Sequence, residues 1–132
     1  MASATYKFGQ PAAAPAPVAA TPQATSFMVF FDWDKSNINA QGLGVVKQAA
    51  AAYRAKGNAQ ITASGHTDTS GQESYNMALS LRRANSVKNA LVAEGVPANV
   101  ITVVGKGEQG LMVQTGPNVR EPQNRRVEII LQ

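Results

Sequence analysis

The sequence predicts a single α/β (α+β) domain in which one β-sheet packs against helices. Between residues 26 and 131, four short apolar runs of strand length are interspersed with segments of helical periodicity. The chain has 132 residues, of which 44% are apolar and 15% are charged, and this suits one domain with a modest core. Strands separated by helices favour parallel pairing through crossovers, whereas the last strand can add in either direction.

The first 25 residues differ in composition from the rest of the chain. Residues 10–25, QPAAAPAPVAATPQAT, combine proline with small residues and carry no charge, so we expect an extended Pro/Ala-rich linker. Residues 5–9, TYKFG, alternate aromatic and polar side chains like the end of a strand. The folded domain is therefore predicted to span residues 26–132.

The first predicted strand and helix follow this linker. Residues 26–33, SFMVFFDW, form an apolar run suited to a buried strand. A helix is predicted from Asn39 to residues 56–58, because apolar side chains recur at helical spacing at Leu43, Val46, Ala50 and Tyr53. Gly42 and Gly44 weaken its first turns by about 1 kcal/mol each relative to alanine.

Three further strands are predicted at residues 59–66, 99–105 and 125–131. In the last of them, alternation places three apolar side chains on one face, namely Val127, Ile129 and Leu131. The connection at residues 106–123 contains glycine and proline and is longer than ordinary connections. It either forms one wall of a site or is a mobile insertion.

The second helix precedes the third strand. Ser70 and Glu73 have the spacing of a capping box, which predicts a helix from about Gly71 to about Glu94. At 100° per residue, one arc that must face the sheet contains Leu79, Val87, Ala90 and Leu91. The opposite side, with Arg82, is predicted to face solvent.

An arginine lies within the sheet-facing arc. Arg83 is two turns after Asn76 in that arc, and a buried guanidinium is costly unless it is paired. Asp68, just before the helix, is the obvious internal partner. Alternatively, Asp68, Asn76 and Arg83 together bind a small zwitterion, with the acid on the ammonium group and the arginine on the carboxylate.

Composition excludes several classes of function. The net charge is +4, but the twelve Lys and Arg residues are scattered, so no nucleic-acid partner is predicted. The chain has no cysteine and one histidine, which disfavours a zinc site, and no cofactor is predicted. No apolar run is long enough for a membrane span, and the N-terminus lacks a secretory signal. The chain is therefore either cytoplasmic or a fragment of an exported protein.

Three motifs resemble a known family. FFDWDKSNI, GHTDTSGQESYNMALSLRRANSV and NRRVEI, in this order, are similar to the peptidoglycan-associating domain of outer membrane protein A. The same OmpA-like domain occurs in the peptidoglycan-associated lipoprotein and in the flagellar stator B subunit. The resemblance covers about residues 27–131. It implies a βαβαββ mixed sheet and noncovalent binding of meso-diaminopimelate in the stem peptides of peptidoglycan.

The resemblance also implies a ligand site. The family's acid falls on Asp68, its arginine on Arg83, its asparagine on Asn76 and the polar position of its first loop on Asp34. The full set predicted to bind the ligand is Asp34, Thr67, Asp68, Asn76, Leu79, Arg83, Arg125 and Arg126.

A location and an anchor follow from the same resemblance. Residues 1–9 look like a remnant of an outer-membrane barrel strand or a leader, and residues 10–25 like the linker that leaves it. We expect a periplasmic domain of a Gram-negative outer-membrane protein that tethers the membrane to the cell wall without enzymatic activity. The sequence leaves open whether the anchor is a barrel, a lipid or a motor subunit, and whether the chain forms a homodimer.

Two rival functions remain. A cell-wall hydrolase would use His66, Asp68 and either Ser64 or Ser70, but His66 and Asp68 are only two residues apart and no nucleophile elbow accompanies them. A binder of another acidic glycan would use Arg82, Lys88 and Lys106. Salt dependence separates this last reading from the zwitterion site, because a surface patch is screened more strongly than a buried pair.

Overall fold

The computed structural model describes residues 25–132. The predictions for residues 1–9, and for the linker up to residue 24, lie outside the described residues. The elements are β1 (Thr25–Phe30), α1 (Ala40–Lys56), β2 (Ile61–Gly65), α2 (Glu73–Ala93), β3 (Ile101–Gly105) and β4 (Arg126–Leu131). Single-turn 3₁₀ helices span Ala98–Val100 and Pro122–Asn124.

The four strands form one mixed sheet in the order β1-β4-β2-β3. Strands β2 and β3 are parallel, whereas β4 inserts antiparallel between β1 and β2. The predicted α/β (α+β) class with helices on a mixed sheet is confirmed. Because β1, β2 and β3 run in the same direction, the loops that follow them meet the segment that enters β4 at one edge of the sheet.

The hydrophobic core lies between the sheet and the two helices. The predicted inward face of β4 is fully buried at Val127, Ile129 and Leu131. Helix α2 buries Leu79, Val87 and Leu91 as predicted, and Arg82 is exposed. Asn76 and Arg83 are buried on the same face, at 2% and 0% exposure. The helical periodicity therefore oriented α2 correctly.

Helix α1 begins where predicted and buries Val46 and Ala50 of the predicted row, but not Leu43. The Asn39 side chain caps it, accepting a hydrogen bond from the Gly42 amide at 2.8 Å. Leu43, predicted to face the core, is 40% exposed. Gly42 is buried instead, and a Cβ atom there would lie 2.9 Å from side-chain carbons of Ile38 and Val29. The prediction for Leu43 was wrong because a glycine carries the contact face, and hydrophobic periodicity does not detect it.

The predicted capping box of α2 does not form. The helix starts at Glu73 with Gln72 as its N-cap, and that side chain makes no capping hydrogen bond. The Ser70 hydroxyl donates to Asp68 at 2.6 Å and accepts from the Trp33 indole N–H at 3.0 Å. Ser70 therefore belongs to the loop between β2 and α2, and its bonds organise that loop.

Across residues 25–132, no helix combines the length and apolar character needed to cross a membrane.

Candidate functional site

A cavity of about 360 Å³ opens at the edge of the sheet where these loops meet. It lies between the loop after β1, the loop after β2, the first turns of α2 and the residue before β4. Its lining residues are Trp33, Asp34, Asp68, Ser70, Gly71, Gln72, Tyr75, Asn76, Leu79, Arg83 and Arg125. The structure thus brings together six residues predicted from the sequence, namely Asp34, Asp68, Asn76, Leu79, Arg83 and Arg125.

Two predicted site residues do not line this cavity. Thr67 is buried, and its hydroxyl donates to the Asp68 carbonyl at 2.8 Å. Arg126 forms an ion pair with Glu128 at 2.8 Å and donates to the Gly110 carbonyl at 2.9 Å. Arg126 is the first residue of β4, and it does not line the cavity that Arg125 lines. Neither residue is placed for contact with a ligand in this cavity.

Arg83 is held by backbone carbonyls. Its Nε donates to Lys35 O at 2.7 Å, its Nη2 to Asp32 O at 3.1 Å and its Nη1 to His66 O at 3.1 Å. Burial lowers the pKa of Arg83 to about 10, and the negative charge of Asp68 opposes that shift. Arg83 is therefore cationic at neutral pH and fastens the loop after β1 to the end of β2.

The direct Arg83–Asp68 pair considered from the sequence does not form, because Asp68 pairs with Arg125. Oδ2 of Asp68 accepts from Arg125 Nη1 at 3.1 Å and from the Glu121 amide at 3.2 Å. Oδ1 accepts from the amide and the hydroxyl of Ser70 at 3.1 and 2.6 Å. Both oxygens of this buried carboxylate are thus occupied by protein donors.

Asn76 connects the cavity to the long segment before β4. Its Nδ2 donates to the Ser70 carbonyl at 3.0 Å and to Glu108 Oε2 at 3.2 Å. The segment at residues 106–123 also supplies the Glu121 amide that binds Asp68. This segment therefore forms hydrogen bonds to two residues that line the cavity, Asp68 and Asn76.

The rim of the cavity combines the predicted Asp34 with two aromatic residues that were not predicted, Trp33 and Tyr75. Asp34 adopts a left-handed conformation with φ of 58°, and the Tyr75 hydroxyl donates a hydrogen bond to its Oδ1. That bond raises the pKa of Tyr75. Trp33 is half exposed, and the Arg120 guanidinium lies 3.6 Å from the centre of its ring. In the sequence, Trp33 is an aromatic residue between the first strand and the first helix, which is the signal for a rim residue. The apolar run at residues 26–33 includes it in the predicted strand instead.

The charges of the cavity suit a small zwitterion. Two carboxylates, of Asp34 and Asp68, stand with two guanidinium groups, of Arg83 and Arg125. A guanidinium has five N–H donors, and three of those on Arg83 are used. The remaining two, one on each terminal nitrogen, have no hydrogen-bond partner within residues 25–132, and Arg83 lines the cavity. Asp34 is exposed and accepts from Tyr75 alone among residues 25–132, so its second oxygen can take an ammonium group.

The residues proposed for a hydrolase are not arranged as a catalytic relay. His66 Nδ1 bonds the Gln109 carbonyl at 3.1 Å, and its buried Nε2 has no hydrogen-bond partner within residues 25–132. Glu128 is the carboxylate near Nε2, at 4.0 Å. Burial and the charge of Arg126 lower the pKa of His66. Over the same described range, no group of three or more metal-ligating side chains occurs.

Comparisons with known proteins agree with this architecture. A profile described as the OmpA family matches residues 30–125. The protein named "Outer membrane protein" from Gluconacetobacter diazotrophicus is 49% identical over 114 residues, covering 82% of this chain and 30% of that protein. The "Peptidoglycan-associated lipoprotein" of Pasteurella multocida is 35% identical over 98 residues, covering 74% of this chain and 65% of that protein.

A solved structure extends the likeness to three dimensions. The crystal structure of the peptidoglycan-associated lipoprotein from Burkholderia pseudomallei superimposes with a TM-score of 0.74 at 28% identity, covering 80% of this chain and 90% of that one. The chain spans less than a third of the length of the relative from Gluconacetobacter, which is 30% covered. The two curated relatives carry names of outer-membrane and peptidoglycan-associated proteins, not of enzymes.

Proposed function

The chain belongs to the OmpA family, and from that premise we propose that its folded domain binds peptidoglycan noncovalently through the meso-diaminopimelate of the stem peptides. The side chain of this amino acid ends in an ammonium and a carboxylate group on one carbon. The observation that supports the proposal is the neutral set of two carboxylates and two guanidinium groups around one cavity. In this assignment the ligand carboxylate lies on Arg83, and the ammonium group lies between Asp34 and Asp68.

In this proposal the two acids have different roles. Asp68 already accepts four hydrogen bonds, so it contributes mainly negative potential and holds Arg125 in place. Asp34 is exposed and has a free oxygen, which makes it the direct acceptor for the ammonium group. Trp33 and Tyr75 enclose the hydrocarbon part of the ligand.

Calorimetric titration with meso-diaminopimelate, with lysine and with amidated diaminopimelate tests this assignment. Lysine keeps the ammonium group and lacks the carboxylate, which leaves the free N–H groups of Arg83 without a partner. We expect a dissociation constant on the order of 10 μM to 1 mM for diaminopimelate, since so small a ligand contributes limited free energy. Lysine and the amidated form should bind at least tenfold more weakly, and equal affinity for all three would refute the role of Arg83.

The sharpest variant is Asp34→Asn. Asparagine retains an acceptor for Tyr75 and tolerates the left-handed conformation at this position, so the change removes little besides the charge. Binding to diaminopimelate and to purified sacculi should weaken about tenfold or more. Glu94→Gln, at the C-terminus of α2 and outside the cavity, is the control because it removes the same charge. Equal weakening in both variants would indicate a general charge effect.

We further propose that the domain acts as a periplasmic tether, joined to an outer-membrane anchor, and that it does not cleave the wall. The relatives named as outer-membrane and peptidoglycan-associated proteins support this location. His66 bonds the Gln109 carbonyl and the Ser70 hydroxyl donates to Asp68, which argues against a hydrolytic relay through these three side chains. Incubation with sacculi should release no soluble muropeptides. Release that His66→Ala abolishes would favour the hydrolase.

A further inference from the structure

A second cavity, also of about 360 Å³, adjoins the first beside the start of α1. Its lining residues are Phe30, Phe31, Asp32, Asn39, Gln41, Pro122, Gln123 and Arg125. Arg125 is the one residue that lines both cavities. A ligand that occupies both cavities would therefore contact the same side chain in each.

The hydrogen bonds of Arg125 leave donors for a second ligand group. Its Nε donates to the Phe31 carbonyl at 3.1 Å, and its Nη1 donates to Asp68 Oδ2 at 3.1 Å. Its Nη2 makes no hydrogen bond to any residue within 25–132. Because the side chain is only 12% exposed and is fixed at two points, these unused N–H groups are held in place for an incoming acceptor.

The remaining walls of the second cavity suit a short piece of peptide. Side-chain amides of Asn39, Gln41 and Gln123 supply donors and acceptors of the kind that bind a peptide bond. Phe30, 43% exposed, and Pro122 supply an apolar surface large enough for a small side chain. No such combination is needed for the end of the diaminopimelate side chain.

We propose that this second cavity binds the amino acid that follows diaminopimelate in the stem peptide, with its terminal carboxylate on Nη2 of Arg125. A small apolar residue with a free carboxylate has the chemistry of a terminal D-alanine. This assignment rests on the proposed function, because diaminopimelate in the first cavity is what brings the next residue to Arg125. The domain then distinguishes stem peptides by length as well as by the identity of their third residue.

The test is calorimetric titration of the full chain with three peptides. The first is L-Ala-γ-D-Glu-meso-diaminopimelate, the second carries an additional C-terminal D-alanine, and the third carries that D-alanine as its amide. We expect the four-residue acid to bind about three- to tenfold more tightly than the tripeptide, because D-alanine carries the C-terminal carboxylate one residue further, into the second cavity. The amide should lose most of that gain.

A double variant, Gln41→Ala with Gln123→Ala, locates the contact. Both side chains are exposed and neither lines the first cavity, so the tripeptide affinity and the urea midpoint should stay unchanged while the gain from D-alanine decreases. The matched control is Gln48→Ala. Gln48 is an exposed glutamine of α1, the helix that contains Gln41, and it lines neither cavity.

The outcomes separate the two proposals. If the wild type binds the tripeptide and the four-residue acid equally, the second cavity is not a subsite, but the diaminopimelate assignment stands. The same conclusion follows if the D-alanine gain persists in the double variant. If neither peptide binds, both proposals are overturned.

Discussion

Replacing Arg83 with alanine should destabilise the folded domain by about 3–5 kcal/mol. Arg83 is fully buried and donates to three backbone carbonyls, and a hydrogen bond from a charged donor contributes roughly 1.5–3 kcal/mol. The loss is smaller than those bonds suggest, because the variant no longer buries the charge whose desolvation lowers the pKa of Arg83 to about 10. The expected loss is a large fraction of the roughly 5–15 kcal/mol that stabilises a typical domain.

Urea unfolding measures this effect, with Trp33 as the probe because it is the only tryptophan of the chain. Arg82→Ala is the control, since Arg82 is the exposed neighbour and its contact is the Tyr75 ring at 5.6 Å. That variant should stay within about 0.5 kcal/mol of the wild type. Arg83→Lys should lie between the two, because one ammonium group cannot match the planar fork of donors. An Arg83→Ala variant within 1 kcal/mol of the wild type would refute the anchoring role.

Three further predictions concern the helix, the histidine and the tryptophan. Gly44→Ala, where an added Cβ meets no atom within 4 Å, should raise the urea-derived stability by about 1 kcal/mol, whereas Gly42→Ala should lower it because its Cβ would lie 2.9 Å from two side chains. The pKa of His66 is lowered from 6.5 in the folded chain, so below pH 6.5 the unfolded chain binds a proton more readily than the folded chain does. The free energy of unfolding should therefore decrease as the pH falls below 6.5, and His66→Gln should flatten this pH dependence. Titration with meso-diaminopimelate should change the fluorescence of Trp33, and the midpoint of this change should equal that of the calorimetric titration. An unchanged spectrum during heat release would indicate that the ligand binds elsewhere.

The fold could be predicted because its signals are local. Apolar runs and helical periodicity identified both α-helices and all four strands of residues 25–132, whereas the two single-turn 3₁₀ helices were not predicted. The errors arose where a tertiary contact decides the outcome. Leu43 is exposed because the buried row of α1 passes through Gly42, and Ser70 gives its hydroxyl to Asp68 and not to the start of α2. Neither contact is visible in the spacing of residues.

The site was predictable only in part for the same reason. The burial of Asn76 and Arg83 follows from the period of α2, and the structure agrees with it. The partners of Arg83 are main-chain carbonyls of two loops. Every residue has a main-chain carbonyl, so the sequence does not indicate which carbonyls will bind Arg83. Asp68 was predicted to pair with Arg83 but pairs with Arg125. This difference likewise depends on how β4 inserts into the sheet.

The internal bonds of the site determine which groups are left for a ligand. The four acceptor positions of Asp68 and three of the donors on Arg83 are satisfied by the protein, so a ligand that displaced them would lose as many hydrogen bonds as it gained. One acceptor region and two donor regions remain, and they are held in fixed geometry before binding. The acceptor region is the free oxygen of Asp34, and the donor regions are the unused N–H groups of Arg83 and Arg125. Such an arrangement favours a ligand with one ammonium group and more than one carboxylate. Under the proposed function, a stem peptide would engage both adjoining cavities, whereas a ligand confined to the first cavity would leave the free donor of Arg125 unused.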